Sequence, residues 1–305
     1  MSRKLFVTGL RGFVGRHLRA RLTGQKDSAW RLVADKPFDL LSPPSLDAAL
    51  AQELPDAVIH LAGQTFVPEA FRDPEATFQV NLLGTLNLLQ ALQRAGFQGS
   101  FLYVSSGDVY GQVAEACLPI HEQMIPAPRN PYAVSKLSAE LLCRQWSYTE
   151  GWRIMLARPF NHVGAGQKES FVLSSAARQI ARIGRGLQPP RLEVGDIDVT
   201  RDFLDVADVI DAYCAILDRG MAGEVYNVCS GQERKIRDLI VQLSELAGIE
   251  IELVQDAARM RRAEQRRVCG SFLKLHEATG WKPEITIRQT LRAILSDWES
   301  RVLQE

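Results

Sequence analysis

Lys4-Leu5-Phe6-Val7-Thr8-Gly9-Leu10-Arg11-Gly12-Phe13-Val14-Gly15 joins a short apolar run to three spaced glycines and the start of a helical pattern. Lys4–Thr8 predicts a strand and Gly15–Leu22 the helix after it. Glycines at this spacing permit a tight turn and close approach of a diphosphate. The helix start then offers free N–H groups and a partial positive charge to the anion. The plain alternative is a glycine-rich turn without a ligand, but its place between two predicted elements favours a dinucleotide site. The choice of dinucleotide stays open. Asp35, at the end of the second predicted strand, would accept hydrogen bonds from a ribose and suit NAD(H), or would be a solvated loop aspartate; Arg11 would hold a 2′-phosphate and suit NADP(H).

Outward from this stretch, Arg31–Ala34, Ala57–Leu61, Phe101–Ser105, Met155–Pro159 and Val225–Val228 read as further strands. A long helix is predicted over about Glu75–Ala95, with Val80, Leu83, Leu86, Leu89 and Leu92 on one face. Apolar strands separated by helices predict an α/β fold: a Rossmann-type, doubly wound parallel sheet covered on both faces. Its ligand site lies beyond the carboxyl ends of the strands. Phe171–Ile183, Ile236–Ala247 and Ile287–Val302 read as helices, the last after a loop at Trp281-Lys282-Pro283. The expected division gives residues 1–160, with a returning segment about 202–229, to the dinucleotide-binding domain. Residues 161–201 and 230–305 form a smaller α+β substrate-binding lobe. Pro189-Pro190 is expected to separate local units.

The 305 residues carry 36 lysines and arginines against 36 aspartates and glutamates, so no net field draws the chain to nucleic acid or to an anionic membrane. No run approaches the roughly 18 apolar residues of a membrane span. Cys117, Cys143, Cys214, Cys229 and Cys269 are dispersed and odd in number, which argues against a disulfide framework or a metal site and fits a reducing compartment. The N-terminus lacks the pattern of a secretory signal, and a soluble cytoplasmic protein is expected.

Tyr132-Ala133-Val134-Ser135-Lys136 places a phenol and an ammonium one helical turn apart. A neighbouring ammonium is expected to lower the phenol pKa. Such a pair alone is common on helix surfaces. Ser105-Ser106-Gly107-Asp108-Val109-Tyr110-Gly111, at the end of a predicted strand, adds a hydroxyl that can hold a carbonyl oxygen while Tyr132 supplies the proton and a nicotinamide the hydride.

Taken together, the glycine turn, Leu61-Ala62-Gly63 after a strand, Asn81, the Ser106–Gly111 segment and Tyr132/Lys136 resemble the sugar-nucleotide epimerase/dehydratase/reductase family of extended short-chain dehydrogenases, over essentially the whole chain. The resemblance implies Ser106, Tyr132 and Lys136 as catalytic residues. It implies Gly9, Arg11, Gly12, Phe13, Val14, Gly15, Asp39, Leu40, Leu61, Ala62, Gly63, Asn81, Tyr132 and Lys136 around NADP(H) or NAD(H), with Asp39 near the adenine. Arg158-Pro159-Phe160-Asn161-His162 resembles the branch acting on GDP-linked 6-deoxy sugars. That branch implies a substrate site of Ser106, Gly107, Asp108, Asn161, Val172, Arg201, Arg261 and Glu264, and a homodimer paired through the Asn81 and Tyr132 helices. The implied reaction reduces the 4-keto group of GDP-4-dehydro-6-deoxy-D-mannose, giving GDP-D-rhamnose. Asp108 stands where dehydratases of the family carry an acidic base, so 4,6-dehydration of GDP-mannose is the alternative. A regulator that binds the dinucleotide without chemistry is the reading from another class. The cluster Arg259, Arg261, Arg262, Arg266 and Arg267 reads as a nucleotide contact or a solvated basic face.

Overall fold

The computed structural model describes residues 2–24, 29–33, 37–256 and 265–304. In chain order the strands are β1 (Arg3–Thr8), β2 (Trp30–Val33), β3 (Ala57–His60), β4 (Ser100–Val104), β5 (Arg153–Pro159), β6 (Asn161–Val163), β7 (Arg191–Val194), β8 (Thr200–Asp205), β9 (Val225–Val228), β10 (Glu233–Lys235) and β11 (Glu252–Gln255). The helices are α1 (Phe13–Gly24), α2 (Pro43–Leu50), α3 (Val67–Arg72), α4 (Pro74–Phe78), α5 (Gly84–Arg94), α6 (Pro131–Thr149), α7 (Val172–Gly184), α8 (Val206–Arg219), α9 (Ile236–Ala247), α10 (Leu273–Thr279) and α11 (Ile287–Val302).

Six strands form one sheet in the order β2-β1-β3-β4-β5-β9, every neighbour parallel. Side chains alternate across a strand, and here both alternations are apolar. Leu5, Val7, Ile59, Leu102, Met155 and Tyr226 face α1 and α8, packing on Leu18, Val209 and Tyr213. Phe6, Val58, Phe101, Ile154 and Leu156 face the other layer, packing on Leu46, Leu88, Leu92 and Ala139. The chain leaves β1 for β2 on one side and then crosses to β3 on the other, so a crevice opens at the carboxyl ends of β1 and β3.

Beyond the carboxyl edge sit two small sheets, β10-β8-β6 and β11-β7, with α7, α9 and α11 packed around Leu173, Ile180, Leu192, Phe203, Ile240 and Trp298. Of the segment 202–229, α8 covers the large sheet and β9 joins it, whereas β8 pairs with β6 and β10. Pro189-Pro190 does not separate units: Ile180 before it and Leu192 after it share one core, because β7 turns straight back onto α7.

The long helix predicted over 75–95 is broken. Between α4 and α5 the segment Gln79–Leu83 winds as a π turn, in which Gly84 N–H bonds the Gln79 carbonyl five residues back. The extra residue in this turn rotates the face: Leu89 and Leu92 of the predicted stripe are buried, but Leu83 is exposed and Asn81 is buried in its place.

Candidate active site

The glycine turn follows directly from β1. Gly9 has φ +78°, and a Cβ there would lie 2.8 Å from Ala62 N, so the turn packs on the backbone after β3. A Cβ at Gly15 would stand 2.2 Å from the Gly9 carbonyl and 2.6 Å from Leu10 Cα, which excludes any side chain at that position. Gly12 N–H donates to Gly9 O at 2.9 Å, and Arg16 N–H to Gly12 O at 3.0 Å starts α1. The result is a bare backbone cradle at a helix N-terminus, which fits a dinucleotide diphosphate. Arg11, Phe13 and Val14 border it, with Arg11 exposed. Asp39 is exposed and turns its carboxylate to Leu41 N–H at 2.9 Å, while Leu40 is buried against Gly84. Asp35 lies outside the described residues.

A buried chain of hydrogen bonds ties this cradle to the π turn. Ala62 N–H donates to Thr8 Oγ1 at 3.0 Å, and Thr8 Oγ1 lies 2.6 Å from His60 Nδ1. On the other side His60 Nε2 lies 2.9 Å from Thr85 Oγ1, which itself donates to the Asn81 carbonyl at 2.7 Å. The threonine donation assigns the proton to Nε2 and leaves Nδ1 an acceptor for Thr8, a neutral imidazole. Burial, aided by the Lys136 charge, pushes the His60 pKa down to about 3 and keeps it so. Asn81 is buried too: its Oδ1 accepts from Gln64 N at 2.8 Å, and its Nδ2 donates to Gln64 O and to Ser135 Oγ, each at 2.9 Å. A Cβ at Gly63 would lie 2.9 Å from Asn81 Oδ1 and 3.9 Å from Lys136 Nζ, so Gly63, Asn81 and Lys136 converge.

Helix α6 starts where Asn130 accepts Ala133 N–H at 2.7 Å and Pro131 takes the first helical position. Tyr132, Lys136, Glu140 and Cys143 recur along its buried face. The Ser106 hydroxyl lies near enough to act on the Tyr132 phenol, and its Oγ accepts Asp108 N–H at 3.2 Å. Gly107 packs on the Phe160 ring, 3.1 Å from where its Cβ would stand. The expectation that Lys136 lowers the Tyr132 pKa does not hold. Burial first, and the Asp108 carboxylate second, push the phenol above its ordinary range, with the Ser106 hydroxyl opposing them. Lys136 itself is pulled down to about 8 by burial, against Cys143 and Glu140; its ammonium sits 4.7 Å over the Tyr103 ring. Asp108 therefore favours a phenol that keeps its proton, the state a proton donor needs.

Across the crevice, Asn161 is exposed on β6, Val172 is exposed at the start of α7, and Arg201 on β8 donates to the carbonyls of Thr200 and Gln265 at 2.7 and 2.9 Å. Arg259, Arg261, Arg262 and Glu264 lie outside the described residues. Arg266 pairs with Asp196 at 2.8 Å, and Arg267 with Glu233 and Glu115 at 2.7 and 3.2 Å, so this part of the basic cluster is matched by carboxylates.

Sequence reading missed Thr8, His60 and Thr85, and it missed the buried Glu140–Arg158 ion pair under the trio. Glu140 did carry a signal: a carboxylate one turn beyond Lys136 on the face that carries Tyr132.

A parallel doubly wound sheet, a glycine cradle at its switch point and a Ser-Tyr-Lys cluster at its carboxyl edge define an extended short-chain dehydrogenase/reductase. The chain belongs to the GDP-mannose 4,6 dehydratase family, whose model matches residues 36–294. It is 69% identical to the GDP-6-deoxy-D-mannose reductase of Pseudomonas aeruginosa over 305 residues, the full length of both. It is 28% identical to the GDP-6-deoxy-D-talose 4-dehydrogenase of Aggregatibacter actinomycetemcomitans, covering 99% of each chain. The solved structure of RMD from Pseudomonas aeruginosa complexed with NADPH superposes with a TM-score of 0.95 at 69% identity, over 98% of this chain and 100% of that one.

Proposed function

We propose that this protein reduces the 4-keto group of GDP-4-dehydro-6-deoxy-D-mannose to GDP-D-rhamnose with NAD(P)H. The observation that carries the reading is the convergence of the Ser106 hydroxyl on the Tyr132 phenol, with Lys136 one turn behind on the same buried face and beside the glycine cradle, in a chain 69% identical to a GDP-6-deoxy-D-mannose reductase. The Gly9–Gly15 turn and the Leu61–Gly63 and Asn81 backbone would hold NADPH, which would supply the hydride for the keto carbon. Ser106 holds the keto oxygen and Tyr132 delivers a proton to it, so hydride and proton together convert C=O to CH–OH. Lys136, one turn beyond Tyr132 on the same buried face, would hold the cofactor ribose with its ammonium and restore the proton that Tyr132 gives up. Asn161, Val172 and Arg201 contact the sugar diphosphate, an arginine fork suiting its oxygens.

The test is NAD(P)H consumption by purified protein given the 4-keto-6-deoxy GDP-sugar; folded protein inert with both NADH and NADPH would remove the claim. Asp108 supports a second reading, 4,6-dehydration, because a carboxylate two residues after Ser106 could remove the proton next to the sugar carbonyl. GDP-mannose turnover without net cofactor consumption would favour it.

We also infer a cytoplasmic homodimer. Val134, Leu141 and Tyr148, seven residues apart on α6, are 37%, 59% and 80% exposed, and Leu83 on the π turn is 48% exposed. This apolar stripe matches pairing of α5 and α6 with their copies. Leu141→Glu is expected to yield monomers by sedimentation, and an unchanged species would remove the interface. Among the described residues no helix is long and apolar enough to cross a membrane.

A further inference from the structure

Glu140 and Arg158 form an ion pair with side chains 1% and 5% exposed. Arg158 Nε and Nη2 each lie 2.9 Å from Glu140 Oε1, and Nε reaches Oε2 at 3.3 Å. The Ser105 hydroxyl donates to Oε2 at 3.0 Å. Arg158 Nη1 is buried without a hydrogen-bond partner, so the pair is not fully satisfied. A buried pair of this kind is weak support for stability, because taking two charges out of water offsets their attraction. What distinguishes it is where it sits.

The pair joins the three elements that carry the trio and its surroundings. Glu140 lies one turn beyond Lys136 and two beyond Tyr132 on α6. Ser105 immediately precedes Ser106 at the end of β4. Arg158 lies near the end of β5, just before Phe160 and Asn161. The guanidinium also sits 4.8 Å from the Tyr110 ring, whose hydroxyl donates to Asn227 of β9 at 2.7 Å. One carboxylate thus links the phenol-bearing helix, the serine-bearing strand end and the strand that leads to the lobe.

We propose that the Glu140–Arg158 pair is the positioning element of this active site, setting the spacing between the Ser106 hydroxyl and the Tyr132 phenol and providing the fixed negative charge that Lys136 faces. The proposal rests on the reductase reading. Facing Lys136 are Glu140 and Cys143 from its own helix, Tyr103 from β4 and His60 from β3, with Arg158 of β5 behind Glu140. His60 is neutral, and burial pushes the Cys143 thiol far up, so it too is uncharged near neutral pH. Glu140 is the carboxylate of this set. Without its charge, Lys136 releases its proton at a lower pH.

The experiment uses the full chain as wild type, Glu140→Gln, the double variant Glu140→Gln/Arg158→Met, and Ser105→Ala. Each is measured for thermal stability, NADPH binding by fluorescence, kcat and KM for the 4-keto-6-deoxy GDP-sugar, and the pH profile of kcat. The double variant removes both charges together and is expected to recover the stability that Glu140→Gln loses. It should still bind NADPH like wild type, with kcat lowered about thirtyfold and KM changed far less, as a small misplacement of reacting groups does. The alkaline limb of its kcat profile should move down by about one pH unit. Ser105→Ala removes one strut while leaving the ion pair, and is expected to lower kcat about fivefold with the fold intact; this decides the matter if the double variant does not fold. A double variant with wild-type kcat and an unmoved alkaline limb overturns the proposal, as does wild-type kcat in Ser105→Ala. Inert wild type overturns the reductase reading and this one with it; active wild type with unaffected variants overturns only the positioning role.

Discussion

The glycine turn and the buried stripe of α6 lie side by side at the edge of one sheet, yet they work by opposite means. The turn acts through backbone that carries no side chain. Gly15 admits no Cβ because the Gly9 carbonyl and Leu10 stand in its place. The stripe acts through side chains that burial makes responsive to their neighbours: Tyr132 above its ordinary pKa, Lys136 below its own. The first is a problem of shape and the second of charge in a low-dielectric setting, so the two should fail differently.

The largest effect is expected from Tyr132→Phe. Removing the hydroxyl proposed to donate the proton should lower kcat by about a thousandfold while NADPH affinity stays near wild type. Equal losses in both would place the phenol in binding rather than in chemistry. Gly15→Ala should do the reverse. The added methyl forces the turn apart, costing about 3 kcal/mol and abolishing measurable NADPH binding, read by calorimetric melting and titration; wild-type affinity in this variant would break the contrast.

Thr85→Val tests the link between the two regions. It leaves the His60 Nε2–H and the Asn81 carbonyl without their shared hydroxyl, so stability should fall by about 1–3 kcal/mol and KM for NADPH should rise a few-fold. An unchanged melting temperature would mean that water replaces the hydroxyl and the chain of bonds carries no tension. The smallest effect is on pH. With its pKa at about 8, Lys136 is an ammonium below that pH and loses its charge as pH rises through it, so kcat should decline above about 8. A rate flat well beyond that value would show that Lys136 stays charged in the working enzyme. The same lowering means that the folded protein binds fewer protons than the unfolded chain above about 8, so stability from this group rises with pH there.

Much of this was legible before any coordinates. The parallel sheet could be read because each of its strands is apolar on both faces, a pattern that buried parallel strands share. The cradle could be read because close backbone approach admits only glycine at Gly9 and Gly15. The lobe was less legible. Strands β6, β7, β10 and β11 are three or four residues long, too short for a period of two to stand out. The π turn escaped because the leucines run on through it at spacings of three, and only the structure shows that Leu83 turns outward while Asn81 is buried.

Local pattern in the chain determined which residues face the core and where backbone must come close, since both follow from the period of an element and the size of a side chain. Tertiary structure alone decided that Glu140 meets Arg158 and Ser105, that His60 bridges Thr8 and Thr85, and that Tyr132 answers to Asp108 more than to Lys136. These depend on which groups remote segments bring within a few ångströms in a dry interior, where electrostatic effects are strong and short sequence spacing carries no information about distance.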